Sequence, residues 1–301
     1  MSPRYAYYPG CSGLGTSLEY DTSTRAMCAA FGIDLVDITD WNCCGSTPAH
    51  AVDHLLSAGL VARNLAIAED MAERMELDGI ITPCPSCLKN LKTTQHRMAE
   101  PKFHEEVEQV LGRKLRADLP IKAVLQVLAE DVGPGRIAEM ADAPLKGLRV
   151  VPYYGCIMVR PPDVMQFDDV ENPMSLDNVL TALGAEVLPF ALKTDCCGAS
   201  LATTRREVVT RLSGRILDAA AAAGADAIAA ACPLCQMNLD MRQAQINRAN
   251  RSSHRMPVFY YTQLAGLATR QSEERIGLDK LCVSPRDLLG SLAARAGEGR
   301  S

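Results

Sequence analysis

RYAYYPGC at residues 4–11 and LRVVPYYGC at residues 148–156 open the same pattern twice in this chain. Each is a short apolar and aromatic run ending in Gly-Cys, the composition of a strand that delivers a cysteine at its carboxyl end. A cysteine pair and a glycine follow in both places, Cys43-Cys44-Gly45 and Cys196-Cys197-Gly198. Next comes Cys-Pro-x-Cys, as Cys84-Pro85-Ser86-Cys87 and Cys232-Pro233-Leu234-Cys235, continuing to Asn90-Leu91 and Asn238-Leu239. The copies are offset by 145, 153 and 148 residues at the three motifs. Offsets of that size indicate a duplicated domain rather than a solenoid repeat. The boundary therefore falls near residue 145, with an N-terminal unit and its linker helices over residues 1–145 and a C-terminal unit over 146–301.

Working outward, Arg4–Pro9, Asp34–Thr39 and Gly79–Thr82 read as short strands, with Leu148–Tyr154, Ala185–Phe190 and Asp226–Ala230 as their second-half counterparts. Ser17–Phe31, Ala49–Met75, Leu88–Met98, Met174–Leu183, Thr203–Ala223 and Gln236–Arg248 have helical length and composition. Alternating strands and helices predict the α/β class, with a small, mostly parallel sheet flanked by helices in each half. The cysteines then gather at the carboxyl ends of the strands, where open α/β sheets bind their ligands. Pro101–Leu145, with Pro120, Pro134, Gly135 and Pro144, reads as helices and linker.

Composition narrows the function. With 48% hydrophobic and 22% charged residues, 301 residues suffice for two globular domains. A net charge of −5 gives no general attraction to nucleic acid or to an anionic membrane surface. The opening MSPRYAYYPG lacks the basic and apolar regions of a secretory signal, so a cytoplasmic protein is expected. The most apolar stretch, Ala219–Ala231, is interrupted by Gly224 and Asp226 and falls short of the about 20 apolar residues of a bilayer span. Twelve cysteines in a reducing compartment point to metal binding or redox chemistry rather than structural disulfides.

Thiolates select zinc or iron–sulfur clusters, and five per copy favour the latter. A structural zinc is satisfied by four, whereas a polynuclear cluster can place adjacent cysteines on different irons. A lone Cys-x-x-Cys also suits a thioredoxin-like dithiol or a zinc site, and a vicinal pair can close a strained disulfide, but neither explains two copies in register. Gly45 and Gly198 suit a close approach of backbone to a cluster or an ordinary turn. Cys28 and Cys282 stand outside the pattern and are assigned to packing. Gly13-Leu14-Gly15 lacks the third small residue of a dinucleotide loop, and Gly133-Pro134-Gly135-Arg136-Ile137-Ala138 lacks the preceding strand. His50 and His54, one helical turn apart, are candidates for metal or proton chemistry, and Arg160 and Lys193 for attracting an anionic thiol.

These residues resemble the B subunit of heterodisulfide reductase, a family with two cysteine-rich CCG domains. The likeness runs through PGCSGLGTSLEYD, DWNCCGSTPAH, YYGCIMVRPP, TDCCG and both Cys-Pro-x-Cys elements. It implies two non-cubane 4Fe-4S clusters, each held by five cysteines: Cys11, Cys43, Cys44, Cys84 and Cys87 in one half, and Cys156, Cys196, Cys197, Cys232 and Cys235 in the other. It also implies a disulfide bound between them, each sulfur engaging one cluster as one electron arrives from each. The chain carries no Cys-x-x-Cys-x-x-Cys run and no flavin or nicotinamide loop. The implied partners are therefore a C-type subunit with cubane clusters and a flavin-containing A-type subunit. Arg outnumbers Lys 23 to 8, a bias that favours the bacterial sulfur-oxidising branch, where thiols are oxidised and a lipoate-binding protein is a candidate sulfur carrier. Reduction of the coenzyme M and coenzyme B heterodisulfide is the alternative within the family. Outside it stand a CCG electron relay of the lactate, glycolate, glycerol-3-phosphate or succinate dehydrogenase type, and a zinc-stabilised scaffold.

Overall fold

The computed structural model describes residues 2–46, 48–143 and 145–298, with side chains to residue 294; Pro144 of the expected linker lies outside them. The first half runs β1 (Arg4–Tyr7), α1 (Leu18–Phe31), β2 (Asp34–Asp37), α2 (Pro48–Val52), α3 (His54–Ala72), β3 (Gly79–Thr82), α4 (Pro85–Arg97) and β4 (Ile121–Ala123). The second runs β5 (Arg149–Tyr153), α5 (Ser175–Ala182), β6 (Glu186–Val187), α6 (Arg206–Ala222), β7 (Ala227–Ala230), α7 (Pro233–Asp240), α8 (Gln243–Asn250), β8 (Val258–Tyr260), α9 (Tyr261–Ala268) and α10 (Arg286–Glu298). Each half forms a four-stranded sheet with every neighbour parallel, in the orders β2-β1-β3-β4 and β6-β5-β7-β8. The expected α/β class and the duplication are both present.

All six expected strands form. β4 and β8 are additional: three residues each, at the sheet edges and too short to show a period, they escape a reading by pattern. The helix expected over Ala49–Met75 is broken. Asp53 takes an extended conformation (φ −158°, ψ 128°), and its carboxylate accepts the Leu56 N–H at 2.7 Å, ending α2 and capping α3. His50 and His54 therefore sit on different helices. The stretch Gln236–Arg248 likewise divides into α7 and α8.

From β1 the chain moves to β2 on one side and then across to β3 on the other. Right-handed crossovers consequently place α1 and α3 on opposite faces of the first sheet. Helix α3 packs against α4, whereas α1 packs against α9 of the other half. The second sheet separates two apolar clusters. Val150, Tyr154, Ala227 and Ala229 join Ala6, Ile80, Leu176 and Leu264 in a core spanning both halves. Val151, Tyr153, Ile228 and Ala230 turn to the other side, onto Leu217 and Ile246. Alternation along β5 and β7 thus assigns one face to each core.

Candidate iron–sulfur site

In both sheets the direction of winding reverses between the two central strands, β1 and β3 or β5 and β7, and the crevice beyond their carboxyl ends is the ligand site of such folds. Cys11 and Cys84 lie just past β1 and β3, Cys156 and Cys232 just past β5 and β7. The Cys-Pro-x-Cys sequence sets the local geometry. Cys84 and Cys232 are helix N-caps, Pro85 and Pro233 occupy the first helical position that proline suits, and the second cysteine falls in the first turn. Hydrogen bonding to Cys44 and Cys84 in one half and to Cys197 and Cys232 in the other, together with burial, pushes the Cys87 and Cys235 thiols well up.

Each half carries five thiols with closely matching burial. Cys44, Cys84 and Cys87 are buried, as are Cys197, Cys232 and Cys235; Cys11, Cys43 and Cys196 are exposed, and Cys156 is half-buried. The Cys44 and Cys87 sulfurs lie 3.5 Å apart, and so do those of Cys197 and Cys235. Among the described residues no three His, Cys, Asp or Glu side chains are arranged as around a single ion. Thiol donation from Cys43 and Cys87 holds Cys44 down to about 3, and donation from Cys156 holds Cys196 down to about 6. Cys197 is lowered by donation from Cys235, despite its burial.

The glycines before the lone cysteines have a steric role. Gly10 and Gly155 have φ of +73° and +74°, and a Cβ on them would lie 2.9 Å from Cys87 Sγ and 2.8 Å from Cys235 Sγ. Gly45 and Gly198 act differently. A Cβ at Gly45 would meet Ala49 at 2.7 Å, and one at Gly198 would meet the Val209 backbone at 3.2 Å, so these two serve the turn and the helix behind it.

Composition did not reveal the supporting residues. Tyr8 and Tyr153, 145 positions apart like their cysteines, lie against the sulfurs, and burial raises both hydroxyls far above the usual range. Tyr8 donates to the Asn42 carbonyl at 2.7 Å and Tyr153 to that of Asp195 at 2.6 Å, the residues just before each cysteine pair. Asn90 donates to the Cys44 carbonyl at 3.1 Å, and Asn238 to Cys197 Sγ at 3.5 Å. The Tyr-x-Gly-Cys and Cys-Pro-x-Cys-x-x-Asn spacings were the available signal.

The CCG cysteine-rich domain family matches residues 5–92 and 150–240, more than half of the chain. The chain belongs to this family, in two copies. Its relatives include the 8-methylmenaquinol:fumarate reductase membrane anchor subunit of Wolinella succinogenes, 31% identical over 93% of this chain and 96% of that one. The B subunit of the ferredoxin:CoB-CoM heterodisulfide reductase of Methanosarcina mazei is 27% identical over 90% and 91%. A protein of Archaeoglobus profundus that is likewise named for the heterodisulfide reductase B subunit is 28% identical over 94% and 96%. Among solved structures, a hypothetical protein from Helicobacter pylori shares the fold at TM-score 0.71 and 12% identity; the match covers 94% of this chain and 52% of that one. Over nearly its whole length the chain is thus similar both to heterodisulfide reductase B subunits and to a fumarate reductase membrane anchor subunit.

The remaining candidates have other surroundings in these CCG halves. His50 and His54 are both exposed. Arg160 donates to the Val170 carbonyl at 2.6 Å and to Glu171 at 3.1 Å, tying down the loop that precedes α5. Lys193 is buried, with its ammonium 2.9 Å from both the Pro173 carbonyl and Asp177 Oδ1. Cys28 is fully buried on α1 as expected, and burial pushes its thiol up to about 12. Cys282 is not: it is exposed, because Asp240 accepts its backbone N–H at 2.7 Å and holds the backbone there, leaving the thiol outside the core.

Replacing Lys193 by Met leaves Asp177 buried without its cation. Removing one partner of such a pair costs about 3–5 kcal/mol, so Lys193→Met is expected to lower denaturant stability by that order. A change below about 1 kcal/mol in an unfolding titration would contradict the structural role of the pair.

Proposed function

We propose that the chain is the cytoplasmic iron–sulfur subunit of a heterodisulfide-reductase-like complex. On this reading Cys11, Cys43, Cys44, Cys84 and Cys87 hold one non-cubane 4Fe-4S cluster, and Cys156, Cys196, Cys197, Cys232 and Cys235 the other. Thiol/disulfide chemistry takes place between them, in the direction of sulfur oxidation. The observation that carries the reading is the repetition of one array, three buried and two more outward sulfurs, at the same topological position in both halves. The donor set fits such a group: ten soft ligands, a fifth thiol per half beyond a zinc site, and glycine backbones that leave room beside Cys87 and Cys235.

When bound, the clusters supply one-electron steps and soft iron for sulfur ligands. The protein's part is positional. Buried thiols anchor each array, while the more exposed Cys11, Cys43, Cys156 and Cys196 are the ones a thiol can reach. Tyr8 and Tyr153 fix the backbone of the cysteine pairs. Cleaving a disulfide takes two electrons and two protons and yields two thiols; oxidation releases the same number. Those electrons pass through a cubane-cluster C-type and a flavin A-type subunit, with a lipoate-binding protein as a sulfur carrier.

The Wolinella relative favours a second reading, a relay passing electrons without binding a disulfide. Among the described residues no helix is long and apolar enough to cross a membrane. Anaerobic purification with iron, sulfide and zinc quantified, followed by EPR of oxidised protein with and without a thiol, decides between them. The first reading expects about eight irons per chain and a thiol-dependent signal. Eight irons without a thiol response would select the relay, and zinc alone would end both.

A further inference from the structure

We propose that Tyr20 is the positioning residue that fixes the two cysteine arrays relative to each other. It belongs to the first half, on α1, nine residues after Cys11, and is 2% exposed. Its hydroxyl lies 3.0 Å from the Pro83 carbonyl oxygen and 3.2 Å from that of Ala231. These residues immediately precede Cys84 and Cys232, the leading cysteines of the two Cys-Pro-x-Cys turns. One hydroxyl thus reaches across the interface between the halves, and the two carbonyl oxygens it serves are at most about 6 Å apart. With a peptide of standard dimensions on each side, the Cα atoms of Cys84 and Cys232 come within about 12 Å.

The ring is held as firmly as the hydroxyl. It stacks on Tyr260, with centroids 4.1 Å apart and planes 6° from parallel, and meets Tyr261 edge-on at 6.3 Å. Tyr260 in turn bonds Gln236, the neighbour of Cys235, at 3.3 Å. One residue along from Tyr260 and Tyr261, Thr262 pairs with Ser23 of α1 at 2.7 Å, locking α1 to α9 beside the stack. The Tyr20 hydroxyl shares its one proton between two neutral carbonyls, and the stack acts as a spacer. A substrate whose two sulfurs must each reach one array requires a fixed gap, and the Tyr20 hydroxyl is the group that spans it.

This inference rests on the two-cluster reading for its purpose, though not for its test. In Tyr20→Phe the stack survives and the two carbonyls lose their shared donor. Backbone amides of residues 82–87 and 230–235 are expected to exchange hydrogen about fivefold faster in both turns, with or without clusters, the loss of one ordinary hydrogen bond. Iron content is expected to match that of the unaltered protein, while the magnetic interaction between the two centres changes. Tyr260→Phe, which retains the Tyr20 hydroxyl, is expected to affect residues 230–235 alone. Faster exchange in one turn only, an unchanged Tyr20→Phe, or a Tyr260→Phe that reproduces it would overturn the proposal. Failure of the two-cluster reading shows separately, as a low iron content in the unaltered chain.

Discussion

Substituting Ala for Cys197 is expected to halve the iron of the purified protein, from about eight to about four atoms per chain, and to leave the first array intact. Cys197 is 2% exposed, and its sulfur lies 3.5 Å from Cys235 Sγ and receives the Asn238 amide. No water can replace the lost ligand in so enclosed a position without burying an unmatched polar group. The first array is built from residues of the other half and retains all its own thiols. Cys28→Ala is the informative companion, since Cys28 is fully buried but stands outside the repeated cysteine pattern. Its loss is expected to cost about 1–2 kcal/mol of stability through a small cavity and no iron at all. Equal iron in Cys197→Ala and the unaltered chain would remove Cys197 from the ligands. Iron loss in Cys28→Ala would show that the measurement reports general loosening.

The second large effect is expected at Gly155. A left-handed residue other than glycine costs roughly 1–2 kcal/mol in backbone terms. Gly155→Ala adds a Cβ at 2.8 Å from Cys235 Sγ, and that sulfur belongs to a helix whose N-cap, Cys232, is itself a proposed ligand. Neither atom has room to yield, so the second site is expected to lose its iron as well as its stability. Gly112 separates the two contributions: its φ of +73° nearly equals the +74° of Gly155, but nothing lies within 4 Å of a Cβ placed there. Gly112→Ala is therefore expected to show the backbone cost with full iron content. Matching iron in the two variants would mean that the contact with Cys235 does not matter for cluster binding.

The division between what was and was not readable in the sequence follows the range of the interactions. Strands β1, β3 and β7 are short runs bracketed by turn signals and motif cysteines, and local composition was enough to place them. The duplicated spacing showed two equivalent arrays because covalent order is itself a spatial constraint at the ends of parallel strands. The break at Asp53 was missed since apolar periodicity continues through Ala49–Met75, and a single capping carboxylate outweighed it. Lys193 looked available as a charge beside Cys196, and only the fold shows Asp177 waiting for it. Tyr20 was invisible for the same reason: its bond to Ala231 spans 211 residues, and no local pattern encodes a partner so far along the chain.

The apolar cluster shared by both sheets makes each repeat depend on the other for its solubility. Val150, Ala227 and Ala229 of the later copy lie in one continuous interior with Ala6 and Ile80 of the earlier one, and α1 beds against α9. One repeat on its own would present that oily surface to water. Severing the polypeptide between the repeats should accordingly yield fragments that are insoluble apart and soluble when mixed.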